Sequence, residues 1–173
     1  MTAYVALLRA VNVGGTGKLP MTELKAMGEA AGFGQVRTYI ASGNVVFTSD
    51  KSEDAVRAGL EKALEAYAGK PVGVVVRTAA EMADTLKRNP FPDRPGNRVV
   101  ALFVDGPIPK DALDHARGVK EEQLALGKRE IYIFYGDGMA DSRLVIPAAK
   151  AGTARNMNTI AKLAEMAGAL SQS

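Results

Sequence analysis

The chain has 173 residues, enough for one mid-sized domain or two small halves that share a core. It has no Cys, which excludes disulfides, thiol nucleophiles and cysteine-ligated metals, and its single His excludes any site that needs two imidazoles. With 22 basic and 19 acidic side chains the net charge is +3, too small to argue for a nucleic-acid partner on its own.

In chain order, Ala3–Arg9 is a dense apolar run without the basic start and long apolar core of a secretory signal, so it reads as a buried strand. No stretch approaches the roughly 20 apolar residues needed to span a bilayer. The expected setting is therefore the cytoplasm, with no membrane partner. A glycine-rich segment, Asn12–Lys18, follows, and a helix is expected from Pro20, with Leu24, Met27 and Ala31 on one face. Gly32 and Gly34 end it. Val36–Ala41 and Asn44–Thr48 are expected to form a hairpin turned by Ser42-Gly43. Ser52 caps the next helix, with Glu53 and Asp54 in its first turn, and that helix closes by Gly69. Val72–Val76 is a further strand and Thr78–Arg88 a further helix.

Asn89–Gly96 holds three prolines and a glycine in eight residues and is the expected boundary between halves 1–88 and 97–173. Beyond it the pattern resumes with a strand at Arg98–Val104 and a short helix at Lys110–Ala116. A second hairpin is expected from Glu122–Ala125 and Glu130–Tyr135, then a closing helix over Thr153–Ala167. The order β-α-β-β-α thus occurs twice, without residue-level similarity between the halves. In Ala3–Leu8, Val72–Val76 and Val99–Val104 both alternating positions are apolar, so both sheet faces are expected to be covered. The expected fold is α+β, two ferredoxin-like (β-α-β-β-α-β) halves packed together.

Three stretches carry the polar side chains suited to chemistry. The first runs from Arg9 through Asn12, Gly14 and Gly15 to Lys18, between a strand and a helix, where glycine-rich backbone suits phosphate or carboxylate. It is not a Walker motif: Asn12 replaces the first glycine and Leu19 follows Gly17-Lys18. The second is the hairpin with Ser42 and Asn44, which as structure alone simply turns the chain. In the third, a helix capped by Thr153 would place Arg155, Asn158, Thr159 and Lys162 on one face, with Asn156 beside them. A polar helix face is most often just solvated, but this one holds no acid before Glu165. Asp and Glu are absent from 1–22, 30–49 and 142–164, the windows that carry these motifs. Brought together, Arg9, Lys18, Arg155 and Lys162 make an electropositive pocket. His115, next to Asp111 and Asp114, reads as a surface residue, and no metal site or cofactor is expected.

The segments LLRAVNVGG (7–15), YIASGNVVF (39–47), NPFP (89–92) and TARNMNT (153–159) together resemble a bacterial family of uncharacterised proteins, catalogued as domain of unknown function 1697. The resemblance implies the duplicated ferredoxin-like fold and no assigned activity. Its polar motif positions fall here on Arg9, Asn12, Ser42, Asn44, Arg155, Asn156, Asn158 and Thr159. Ala10 stands where the family has Gly, and Met157 where Trp is common.

Three functions fit these features. The first is a pocket for a small anionic ligand, in which Arg and Lys oppose negative charge and Asn orients the ligand. No residue reads as a tuned base beside Ser42, so the sequence does not decide whether a reaction occurs. The second is a basic groove for nucleic acid, though the aromatic signature of RNA-recognition sheets is absent. The third is a structural or interaction module, whose motifs are turns and caps. Oligomeric state is not encoded in any of these features.

Overall fold

The computed structural model describes residues 1–9, 18–40, 42–136 and 142–171. Strand β1, Thr2–Leu8, is buried at every position from Ala3 onward, as an apolar run with no polar alternation requires. Helix α1 spans Met21–Ala30 and is entered through Pro20, whose extended backbone makes it the N-cap residue. Strands β2, Gly34–Thr38, and β3, Asn44–Ser49, form the expected hairpin. Helix α2 spans Glu53–Ala68, and Ser52 Oγ accepts a 3.2 Å hydrogen bond from Ala55 N, the N-cap bond that the sequence calls for. Strand β4 is Val74–Thr78.

These strands make an antiparallel sheet in the order β2-β3-β1-β4. Register sets Leu7 opposite Asn44 and Leu8 opposite Val74, so the end of β1 meets the starts of β3 and β4. One face packs Tyr4, Ala6, Leu8, Val45 and Phe47 against Leu24 of α1 and Val56, Leu60 and Leu64 of α2. Phe33 stacks on Phe47 with ring centroids 4.2 Å apart. Burying each Val, Leu or Phe side chain among these stabilises the fold by about 1.5–3 kcal/mol before chain entropy is charged.

Helix α3 spans Ala79–Lys87, and strand β5, Val99–Phe103, follows the proline-rich stretch. That stretch is an ordered turn. Asn89 Oδ1 accepts from Phe91 N at 2.9 Å, Phe91 lies 6.1 Å from the Phe134 ring, and the Arg94 guanidinium sits 4.9 Å over that ring. Strands β6, Gln123–Leu126, β7, Glu130–Phe134, and β8, Thr153–Asn156, complete a second antiparallel sheet in the order β6-β7-β5-β8. Helix α4, Met157–Ser171, ends the described chain. The chain divides into two compact units: Met1–Ala83 with the segment from Lys162 onward, and Asp84–Ala161. The described residues thus form an α+β protein of two four-stranded antiparallel sheets and four α-helices.

Two expectations are corrected. The closing helix does not start at Thr153, because Thr153–Asn156 is strand β8, paired with β5 from Phe103↔Thr153 to Val100↔Asn156. Burial alternates there, Thr153 and Arg155 in and Ala154 out, and pairing with a central strand outweighs any helical spacing in four residues. The short helix near 110–116 is one 3-10 turn, Ala112–His115, since so few residues do not repay α-helix nucleation. Between β7 and β8 a 3-10 turn, Pro147–Ala149, stands where an α-helix would make the second half match the first. Val145 forms an isolated antiparallel bridge with Arg117.

Candidate functional site

In the first unit the polar motifs gather where β1 ends. Leu8 N donates to Gly43 O at 2.8 Å and Arg9 N donates to Gly73 O at 2.9 Å, so the strand exit is clamped between the hairpin turn and the entry to β4. The Arg9 side chain is exposed at that edge. Inside the turn, Asn44 is fully buried, and its Nδ2 donates to Tyr39 O at 2.9 Å and Ser42 Oγ at 3.0 Å. Both amide protons therefore hold the loop closed and set the half-buried Ser42 hydroxyl in place. Ile40 takes φ 49°, a strained value for a β-branched residue, and is 48% exposed. Such strain persists only where the surroundings fix it, here the Tyr39–Asn44 bonds. Lys18 is exposed; Asn12, Gly14 and Gly15 lie outside the described residues.

In the second unit Arg155 is on β8, not on a helix face. Its Nη1 donates to Thr153 Oγ1 at 2.7 Å and Ala154 O at 2.9 Å, so the guanidinium folds back along its own strand. Burial lowers its pKa to about 10, which leaves it charged at neutral pH. Asn156 Oδ1 accepts from Thr159 N at 2.9 Å, which makes Asn156 the cap of α4, the role expected of Thr153. Thr159 is buried, while Asn158 and Lys162 are exposed, so the expected polar stripe survives only at those two positions. Asn158 lies against Gly96, whose carbonyl accepts from Met157 N at 3.0 Å. Lys162 Nζ is 3.8 Å from Glu165.

The structure therefore brings Arg9, Ser42 and Asn44 to one end of the first sheet, where β1 finishes, and Arg155, Asn156 and Asn158 to the junction of β8 and α4. Sequence reasoning passed over Arg77, almost wholly buried on β4, whose Nη1 donates to Val76 O at 3.1 Å. The signal was present: Arg77 directly follows an apolar run covered on both faces. His115 is exposed with Nε2 3.1 Å from Asp111 Oδ2, as a surface histidine should be. The Ser42 hydroxyl accepts from an amide, which cannot take its proton. These groups can hold and orient an anion, and they do not constitute a nucleophile with its base. Among the described residues no cluster of three or more His, Asp or Glu can hold a metal, and no helix is long and apolar enough to cross a membrane.

An α+β chain with these motifs in this order has known counterparts. It belongs to the family described as protein of unknown function (DUF1697), whose model matches residues 1–132. That range holds the first three motif segments and stops short of TARNMNT. Among solved structures, the conserved bacterial protein SP0830 from Streptococcus pneumoniae is similar, with 26% identity over 96% of this chain and 98% of that one and a TM-score of 0.78. No curated protein matches the chain.

Proposed function

We propose that this is a cytoplasmic binding protein for a small ligand bearing a phosphate or carboxylate, held at the end of the first sheet where β1 finishes, with Arg9 as its principal cation. The observation that carries the reading is the backbone clamp, Leu8 to Gly43 and Arg9 to Gly73, which fixes the main chain from which the exposed Arg9 side chain extends, at the end of the sheet that also carries Ser42. The sequence windows 1–22 and 30–49, which hold Arg9, Lys18, Ser42 and Asn44, contain no Asp or Glu. An Arg fork matches the planar geometry of carboxylate and phosphate oxygens. Exposed Lys18 is a second cation for the ligand, and Asn12, Gly14 and Gly15, outside the described residues, are proposed with it on the chemistry of their glycine-rich sequence. Ser42 is a hydrogen-bonding group for the ligand, and Asn44 positions it.

The two halves, 1–88 and 97–173, are read as a ferredoxin-like duplication, supported by the shared strand order second, third, first, fourth in each sheet. Ferredoxin-like units host many functions, so the fold leaves the ligand open.

A thermal-shift panel of inorganic phosphate, mononucleotides, sugar phosphates and dicarboxylates tests the proposal. A ligand at 100 times its Kd stabilises by about 2.7 kcal/mol, a readily measured rise in Tm. Arg9→Ala keeps the backbone clamp and is expected to abolish the rise. No response to any anion, or a full response in Arg9→Ala, would overturn the proposal. Retention on RNA or DNA that weakens steeply with salt would favour the nucleic-acid groove instead.

A further inference from the structure

We infer that the second unit carries a separate cavity for a small molecule with an apolar body and an anionic head. The cavity, about 530 Å³, lies over the half-buried Leu102 of β5 and is walled by Leu144, Ile146, Pro147, Arg117 and Lys150. Its size falls within the roughly 300–1,000 Å³ typical of ligand sites.

The chain builds it by tying down both ends of one segment. At one end Arg117 N donates to Val145 O and Val145 N donates to Arg117 O, both at 2.8 Å. Gly118, at φ 73°, permits this approach, because a Cβ there would collide with the Arg143 carbonyl. At the other end Gly152 lies so close to the Phe103 carbonyl of β5 that a Cβ would not fit. Between the ties, Ile146 and Ala149 anchor the segment in a core with Val104, Ala112, Ile131 and Ile133. The Pro147–Ala149 turn is too short to cover the sheet as α2 covers the first one, and Leu102 is left as the only β5 residue not fully buried.

The lining chemistry selects the ligand. Leu102, Leu144, Ile146 and Pro147 gain from excluding water against an apolar body. Arg117 and Lys150 supply two positive charges, and among the described residues no carboxylate lines the cavity. An apolar floor with two cations favours an amphipathic anion over a neutral or cationic molecule of the same size. A medium-chain carboxylate is the simplest such molecule, its head taken by the Arg117 fork.

Titration of the full chain with octanoate, followed by methyl NMR, tests the inference, with 1-octanol and acetate as probes of the chain and the charge alone. The expected result is saturable shifts at Leu102, Leu144, Val145 and Ile146, with octanol and acetate each at least tenfold weaker. The double variant Arg117→Gln/Lys150→Gln alters exposed side chains only and is expected to weaken octanoate at least tenfold. Octanoate binding is expected to persist in Arg9→Ala, which separates this cavity from the β1 edge. Absence of saturable shifts at those methyls, octanol binding as tightly as octanoate, unchanged affinity in the double variant, or loss in Arg9→Ala would each overturn the inference.

Discussion

Asn156→Ala isolates what one motif residue does. Asn156 Oδ1 accepts from Thr159 N at 2.9 Å, satisfying one of the amides that the first turn of α4 leaves without a helical partner. Removal of an Asn cap costs about 1 kcal/mol, within a range of roughly 0.5–2. For a chain of this length about 1 kcal/mol lowers Tm by roughly 2–4 °C. The loss should register in global unfolding, because Met157, Ile160, Leu163 and Ala167 of the same helix are buried. Asn156→Asp keeps the acceptor and puts negative charge at the positive end of the helix, so its Tm should stay near that of the unaltered chain. Far-UV circular dichroism melts of the three proteins decide the matter. A full Tm in Asn156→Ala, or an equal loss in Asn156→Asp, would refute the capping role and return Asn156 to the list of ligand groups.

Two glycines in opposite settings should respond with opposite signs in denaturant melts. Gly118→Ala meets both a positive φ and the Arg143 carbonyl, and should lose about 3 kcal/mol or more. Gly59→Ala has open space within α2 and should gain roughly 0.5–1 kcal/mol. A pH prediction concerns Asp84, whose pKa is lowered chiefly by the 2.9 Å hydrogen bond from Arg88 Nε, with Lys128 Nζ 3.4 Å away. A depressed folded value means that its contribution is complete above the unfolded aspartate value of about 3.9 and fades as pH falls through the lowered value. Carboxyl NMR titration should find Asp84 below the ordinary range and Arg88→Ala should raise it; an unmoved midpoint would discount the pair.

Much of the first unit was legible because its signals are local. Ser52 with Glu53 and Asp54 marks a helix start through groups three residues apart, and the Ser42-Gly43-Asn44 turn closes within six residues. The second unit was less legible where long-range pairing decides conformation. Thr153–Asn156 carries residues compatible with helix or strand, and only the vacant edge of β5 makes it a strand. That one assignment moved Arg155 from an exposed helical face to a buried strand position and passed the cap to Asn156. The β1 edge was partly readable: acid-free windows and an Arg at a strand end were visible, but not the hydrogen bonds that set Arg9 beside the hairpin. The cavity over Leu102 left no motif at all. It arises from two close backbone approaches at Gly118 and Gly152, whose partners are 25 and 49 residues away, at Arg143 and Phe103.

Composition and order by themselves determined that the chain is an α+β protein with no cysteine chemistry, that its first strand is buried on both faces, and that its basic motif segments are free of acids. Those properties follow from residue type and short-range spacing, which act before any distant segment meets another. Tertiary structure alone decided which strands flank β1 and β5, where Arg155 points, and which of the polar motif residues are spent on holding turns and caps. The physical reason is that a sheet edge satisfies whatever backbone is brought to it. A side chain's availability for a ligand is settled only when its own hydrogen-bond partners have been taken.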